Sequence, residues 1–319
     1  MKAKSTVQQH LEHYLIERRR LGFTLRGPEA RLRNFACYAD RSQQPLTVEL
    51  MAQWARRGCT KANPAAWARR LDLIRPFIRF LQQFEPLTEV PDDRVFGPTP
   101  RRVTPHIFHE REITQLLAAA HELMPRLRAA TFETLFGLLA CAGLRVSEAL
   151  HLLDRDVDLK QGLLTIRQAK FAKSRQVPLH PSTVAALQSY RHTRAHYVAP
   201  TPDIPFFVTA KGKRFGKCLR LTSVDLVFAT LRKRLGWRNR GAHHAPRVYD
   251  LRHTFAVRRV MLWHEHGTDI DQAMLALSTY LGHARISDTY WYLTAVPELM
   301  ALAAGKFECF AHGQGAHHD

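Results

Sequence analysis

The chain has 319 residues, 45% of them apolar, and 47 Lys+Arg against 28 Asp+Glu give it a net charge of +19 and a pI near 10.3. The apolar share is enough for packed cores and excludes a largely disordered chain, and the length leaves room for two domains. So large a cationic surplus points to a polyanionic partner, nucleic acid being the commonest, with a generally basic ribosome-associated factor as the plain alternative.

Residues 5–20 carry Val7, Leu11, Tyr14 and Leu15 at helical spacing, closed by Arg18, Arg19, Arg20 and Gly22. A second helix is predicted over about 28–40, with Pro28 near its first turn, and a third from the N-cap Thr47 to Gly58. The fourth opens at Asn63-Pro64, a cap followed by proline at the first helical position, and continues to about Phe84. Its Arg69, Arg70, Arg75 and Arg79 make one face basic, either a solvated surface or a grip on a phosphate backbone. The charge of the whole N-terminal module favours the grip, with Arg69 and Arg70 as its DNA-binding residues.

Pro86, Pro91, Gly97, Pro98, Pro100 and Pro105 follow, a density that no helix or strand survives. Residues 91–106 therefore form a linker, and Arg101 and Arg102 suit a strap crossing nucleic acid. Helices are predicted next at about 110–122 and 127–142. Leu163 to Arg167 and Gln176 to Leu179 make a hairpin around the basic turn 169–174, and Ile204 to Val208 is a third strand. Further helices are predicted at about 181–195, 222–235, 248–265, 270–281 and 286–293, and Ala311 to Asp319 is a disordered tail.

Five cysteines, Cys37, Cys59, Cys141, Cys218 and Cys309, are an odd number without CxxC spacing, which fits a reducing cytosol and argues against a disulfide framework or zinc ribbon. The first ten residues turn polar at once, so no signal peptide is visible, and the longest apolar run, Leu135 to Leu144, is too short to span a bilayer. No membrane association is expected. His264-Glu265-His266 lacks the spacing of a zinc helix, and no glycine loop for nucleotide phosphates occurs, so no metal and no cofactor is expected.

The chemistry-bearing residues cluster late in the chain. Val248-Tyr249-Asp250-Leu251-Arg252-His253 is followed by Leu281-Gly282-His283 and, nine residues after that histidine, by Tyr292. Gly143-Leu144-Arg145-Val146-Ser147-Glu148 adds a second arginine at the end of an apolar helix. Arginine is always cationic and grips phosphate oxygens through paired N–H donors, and a phenol beside such arginines can attack phosphorus. Two arginines, a histidine and a tyrosine are what a metal-free enzyme needs to break a phosphodiester with a protein nucleophile.

These segments, together with Lys170 in the hairpin turn before Val177-Pro178-Leu179, resemble the tyrosine recombinase (phage integrase) family in order and spacing from about 107 to 300. The resemblance implies a mainly α fold with a small antiparallel β-sheet (α+β). It implies a helical core-binding, DNA-clamping domain over 1–90, the linker 91–106, a catalytic domain over 107–310 and the tail 311–319. Arg145 and Arg252 would clamp the scissile phosphate, Glu148 would orient Arg145, and His283 would hydrogen-bond the phosphate. Lys170 would protonate the departing 5′ oxygen, with Lys173 a phosphate contact that could be confused with it. Tyr292 would be the nucleophile, selected over Tyr280 and Tyr290 by its nine-residue step from His283. Tyr249 departs from the family, which usually has histidine three residues before the second arginine; a phenol donates a hydrogen bond there but does not readily carry a proton at neutral pH.

The implied reaction is site-specific cutting and rejoining of double-stranded DNA through a 3′-phosphotyrosyl bond, for integration, excision or transposition of a mobile element. A homotetramer on two DNA sites is implied, in a cytoplasmic, nucleoid-associated setting. The apolar positions Leu299, Leu302, Ala303, Phe307 and Phe310 mark a C-terminal helix, 298–310, that docks either on a neighbouring protomer or on its own domain. A type IB topoisomerase-like enzyme and a non-catalytic DNA-binding relative remain the alternatives.

Overall fold

Helix starts follow the caps written in the sequence. Thr6 opens α1, Val7–Arg20, with a capping box: its side chain accepts from Gln9 N while the Gln9 side chain accepts from Thr6 N. Pro28 begins α2, Pro28–Ser42, and Thr47 caps α3, Val48–Arg56, by accepting from Leu50 N. Asn63 caps α4, Pro64–Leu81, through Ala66 N at 3.1 Å. The computed structural model describes residues 6–23, 25, 27–57, 63–97, 103–167, 174–283 and 285–295, leaving out the side chains of 271 and 292–295. The chain divides into two compact units, 1–102 and 103–319.

In the first unit, Leu11 and Leu15 of α1, Phe35 of α2, Met51 and Trp54 of α3 and Leu71, Ile74 and Phe77 of α4 form one buried core. As far as residue 97 the proline-rich stretch is docked on this unit, whereas its far end, from Val103, belongs to the second unit, where Thr104 O accepts from Ala242 N. Val90, Val95 and Phe96 pack against the core, and Arg75 donates to the carbonyls of Pro91 and Asp92 at 2.9 and 3.2 Å. The arginines of α4 therefore divide their work. Arg75 is committed to that stretch and to Asp72 and Asp93, Arg70 lies over the Trp54 ring at 4.3 Å and donates to the Trp54 carbonyl, and Arg69 is exposed. Arg101 and Arg102 lie outside the described residues.

The second unit is built around α6, Arg126–Ala142, which buries Phe132, Leu135, Phe136 and Leu139. Helix α5, Glu110–His121, packs on it, as does α8, Pro181–Ala195; α9, Leu221–Leu235, packs on α5. After the short α7, Val146–Leu150, come three antiparallel strands in the order β1, Val157–Asp158, β2, Leu163–Ile166, and β3, Arg175–Pro178. The β2–β3 register pairs Leu164 with Val177 and Ile166 with Arg175. A second core cluster joins α10, Asp250–Glu265, to α11, Ile270–Leu281, with Tyr290 and Trp291 of α12, Ser287–Ala295, packed against it. The architecture is thus mainly helical with one small antiparallel sheet. Among the described residues no helix is long and apolar enough to cross a membrane.

The strand expected at Ile204 to Val208 is corrected: the third strand of the sheet is β1, and 204–208 makes only isolated bridges, Leu153 with Pro205 and Val208 with Cys218. Its buried run, Phe206, Phe207 and Val208, looks like a core strand in sequence. A buried side chain takes the ladder's place. Arg194, fully buried, donates to the carbonyls of Pro205 and Phe206 at 3.3 and 2.9 Å, and Pro205 has no N–H to offer a neighbouring strand. The segments 298–310 and 311–319 lie outside the described residues.

Candidate active site

The site begins where α6 stops. Gly143 ends that helix in the left-handed region (φ 57°), and a Cβ there would meet Cδ1 of Phe255 at 2.4 Å, so only glycine lets the turn lie against α10. Two residues later Arg145 is the N-cap of α7. Glu148, one turn on, reaches back with one oxygen to Arg145 N at 3.0 Å and with the other to Arg145 Nη1 at 2.7 Å. Glu148 therefore holds Arg145 at both its backbone and its side chain.

A second turn faces the first. Helix α11 ends at Gly282, also left-handed (φ 67°), with His283 N donating back to the Ser278 carbonyl. The carbonyls at a helix end carry partial negative charge and lack partners within the helix. Here three successive carbonyls each receive a guanidinium: Arg175 Nε donates to Tyr280 O at 2.8 Å, Arg252 Nη2 to Leu281 O at 2.8 Å and Arg145 Nη2 to Gly282 O at 3.0 Å. Arg252 also donates to Gly143 O at 2.7 Å, so it joins both turns. The two arginines singled out in sequence 107 residues apart are brought to one place, together with a third, Arg175, that sequence reasoning passed over.

The arginines differ in exposure. The Arg145 side chain is 20% exposed, whereas Arg252 is 1% exposed beneath the two turns and is not displayed on the surface of the free protein. Glu148 answers two of the cations. Burial pushes its carboxyl up, but hydrogen bonds from Arg175 and from Arg145 N outweigh that and bring its pKa down to about 2. The carboxylate is therefore charged at any physiological pH and cancels only part of the cationic surplus.

His283 lies just past the α11 end, and its Nδ1 is 2.7 Å from Thr289 Oγ1, a fully buried hydroxyl on α12. That bond fastens the helix that carries Tyr292 to the turn that carries the histidine. The Tyr292 side chain lies outside the described residues, as do Lys170 and Lys173, which fall between β2 and β3 in the chain. Tyr249 caps α10 and is 40% exposed, with its ring edge-on to His253 at 5.0 Å between centroids; His253 in turn meets Trp291 at 5.6 Å. Burial, then the charges of Arg247 and Arg252, pull the His253 pKa down to about 3, so this imidazole is neutral at pH 7.

Arg175 and Thr289 were missed for different reasons. Period-2 alternation puts Arg175 on the same inward face as the buried Val177, and a charge on the inward face of a strand was the available signal. Nothing in the sequence singles out Thr289 from other helical threonines.

With this geometry in view, the sequence pattern of the Phage integrase family matches residues 106–298. A Sinorhizobium fredii protein named as the integrase/recombinase y4rB is 38% identical over 310 residues, spanning 95% of this chain and 98% of its own. The tyrosine recombinase XerC of Pelobacter propionicus is 28% identical over 88% of this chain and 87% of its own length. The fold is similar to that of the Tn1549 transposon integrase in complex with transposon right end DNA, with a TM-score of 0.66 at 15% identity over 96% of this chain and 100% of that one. The chain belongs to the phage integrase family of tyrosine recombinases, enzymes that cleave and rejoin DNA.

Proposed function

We propose that this protein is a site-specific recombinase of a mobile element and that its reaction runs through Tyr292. The observation that carries the reading is the convergence of Arg145, Arg252 and His283 at two facing turns, with the helix of Tyr292 tied to one of them through Thr289. In this reading the Tyr292 phenolate attacks the scissile phosphorus while Arg145 and Arg252 stabilise the charge that builds on the non-bridging oxygens. A phosphate oxygen makes stronger, charge-assisted bonds than the backbone carbonyls that now occupy these guanidinium groups. The P–O5′ bond breaks, Lys170 supplies the proton to the leaving 5′ oxygen, and the strand is left as a 3′-phosphotyrosyl ester. A 5′ hydroxyl from the partner duplex reverses the step, so the bond energy is conserved without nucleotide or metal.

Tyr249 shapes the proton traffic. A phenol donates a hydrogen bond but does not readily carry a proton as imidazole does. His283, whose ring is held by Thr289, then takes the Tyr292 proton, and Tyr249 serves as a hydrogen-bond donor to phosphate. Arg69, Arg101, Arg102 and Lys173 are assigned to phosphate contacts along the duplex, and Arg70 to a contact buttressed by Trp54. Four protomers on two DNA sites, with 298–310 exchanged between neighbours, complete the proposal on the strength of the resemblance. A nicked substrate that traps the covalent adduct tests it: wild type forms a protein–DNA ester and Tyr292→Phe does not.

A further inference from the structure

We propose that Arg175 is a positioning residue for DNA cleavage, holding Glu148, and through it Arg145, in the orientation that meets the scissile phosphate. The inference rests on the recombinase reading above and adds to it a residue outside the set drawn from the family's motifs.

Arg175 opens β3, yet its side chain reaches two other elements. Nη1 and Nη2 straddle the Glu148 carboxylate at 3.0 and 2.9 Å, and Nε donates to the Tyr280 carbonyl at 2.8 Å. Glu148 uses the same two oxygens for Arg145: Oε1 accepts from Arg145 Nη1 and Oε2 from Arg145 N. Each carboxylate oxygen is thus pinned by one bond from each arginine. Without Arg175 the Glu148 side chain retains only its bonds to Arg145, and of the two hydrogen bonds that tie this group to the end of α11, to Tyr280 O and Gly282 O, only the one from Arg145 is left. Only a planar fork spans this arrangement, because lysine offers a single nitrogen where three separate ones are used.

The backbone is shaped around this guanidinium. A Cβ at residue 282 would meet Arg175 Nη1 at 2.7 Å and its Cζ at 3.0 Å, so the close approach of the α11 turn depends on glycine as well as on its φ of 67°. The Arg175 side chain is only 12% exposed, and Arg252 and Arg145 occupy the next two carbonyls of the same helix end. An inward strand position beside Val177 is an ordinary place for an apolar residue, and a buried cation there is costly unless its bonds serve something. What they serve is the carboxylate that orients Arg145.

The test measures adduct formation on a nicked substrate at saturating DNA, below the melting temperature of every variant, for Arg175→Lys, Gly282→Ala, Glu148→Gln and the Arg175→Lys/Glu148→Gln pair. Gly282→Ala displaces the guanidinium without removing it, so the question stays answerable if the lysine variant does not fold. Displacing a reacting arrangement by about 1 Å costs up to 10²-fold, and roughly 10- to 100-fold slower cleavage is expected for Arg175→Lys and Gly282→Ala, with DNA affinity unchanged. Because both act on Arg145, the double variant should lie within about threefold of the slower single variant. Wild-type cleavage rates in Arg175→Lys or Gly282→Ala, with only a lowered Tm, would show a purely architectural arginine and overturn the proposal, as would losses that multiply in the double variant. Absence of an adduct with wild-type protein on DNA it binds would instead count against the recombinase reading.

Discussion

Glu148→Gln isolates the electrostatic contribution at the centre of the site. The carboxylate accepts from Arg145 N, Arg145 Nη1, Arg175 Nη1 and Arg175 Nη2, and its side chain is 6% exposed. An amide keeps one accepting oxygen, turns an N–H toward other N–H donors and leaves two arginines unanswered. From its ordinary 4.5 to about 2, the charged form is favoured by about 3 kcal/mol at ~1.36 kcal/mol per pH unit. That agrees with the ~3–5 kcal/mol lost when one partner of a buried pair is removed. For a unit of this size it corresponds to a fall in Tm of roughly 6–12 °C. The folded pKa lies below the unfolded one, so the contribution is complete above pH 4.5 and is lost only as pH falls toward 2. Thermal or urea unfolding followed by tryptophan fluorescence should therefore show the same deficit at every pH from 5 to 8. A deficit under 1 kcal/mol, or one confined to neutral pH, would refute the reasoning.

Three further outcomes are expected. Gly143→Ala forces a side chain into a left-handed turn and against the Phe255 ring at 2.4 Å, and should cost about 3 kcal/mol or more in denaturant unfolding; a loss below 1 kcal/mol would mean the turn is not packed tightly against α10. His253 binds a proton when unfolded but not when folded, so its contribution is full above pH 6.5 and falls by about 2 kcal/mol between pH 6.5 and 5; His253→Gln should flatten the stability profile by that amount, and an unchanged profile would contradict the burial of a neutral imidazole. Tyr249→His puts imidazole at the head of α10 and should raise the cleavage rate and add a titration near ~6.5, whereas an unaltered pH–rate profile would remove that position from proton transfer.

Much of this arrangement was legible in the sequence because the signals were local. Thr47 and Asn63 cap helices where a side-chain oxygen accepts from the third helical N–H, the apolar periodicity of α1 places its buried face, and the apolar run from Leu135 marks α6 as a core helix. The pairing of Arg145 with Glu148 is equally local, three residues apart on one short helix. What escaped was decided by contacts between distant segments. Ile204 to Val208 reads as a strand until Arg194 is seen to occupy the Pro205 and Phe206 carbonyls, and Arg75 reads as a phosphate-facing charge until residues 91 and 92 fold back on it. Arg252 was legible as a site residue but not as a buried tie between two turns, since its acceptors are main-chain carbonyls that carry no residue-type signature.

The account stands or falls on the covalent bond to Tyr292. A nicked duplex that loses a short 5′ fragment on cleavage should give a protein–DNA adduct with wild type, with Tyr290→Phe and with Tyr280→Phe, and none with Tyr292→Phe. An adduct that survives Tyr292→Phe, or no adduct from wild-type protein on DNA it demonstrably binds, would contradict it.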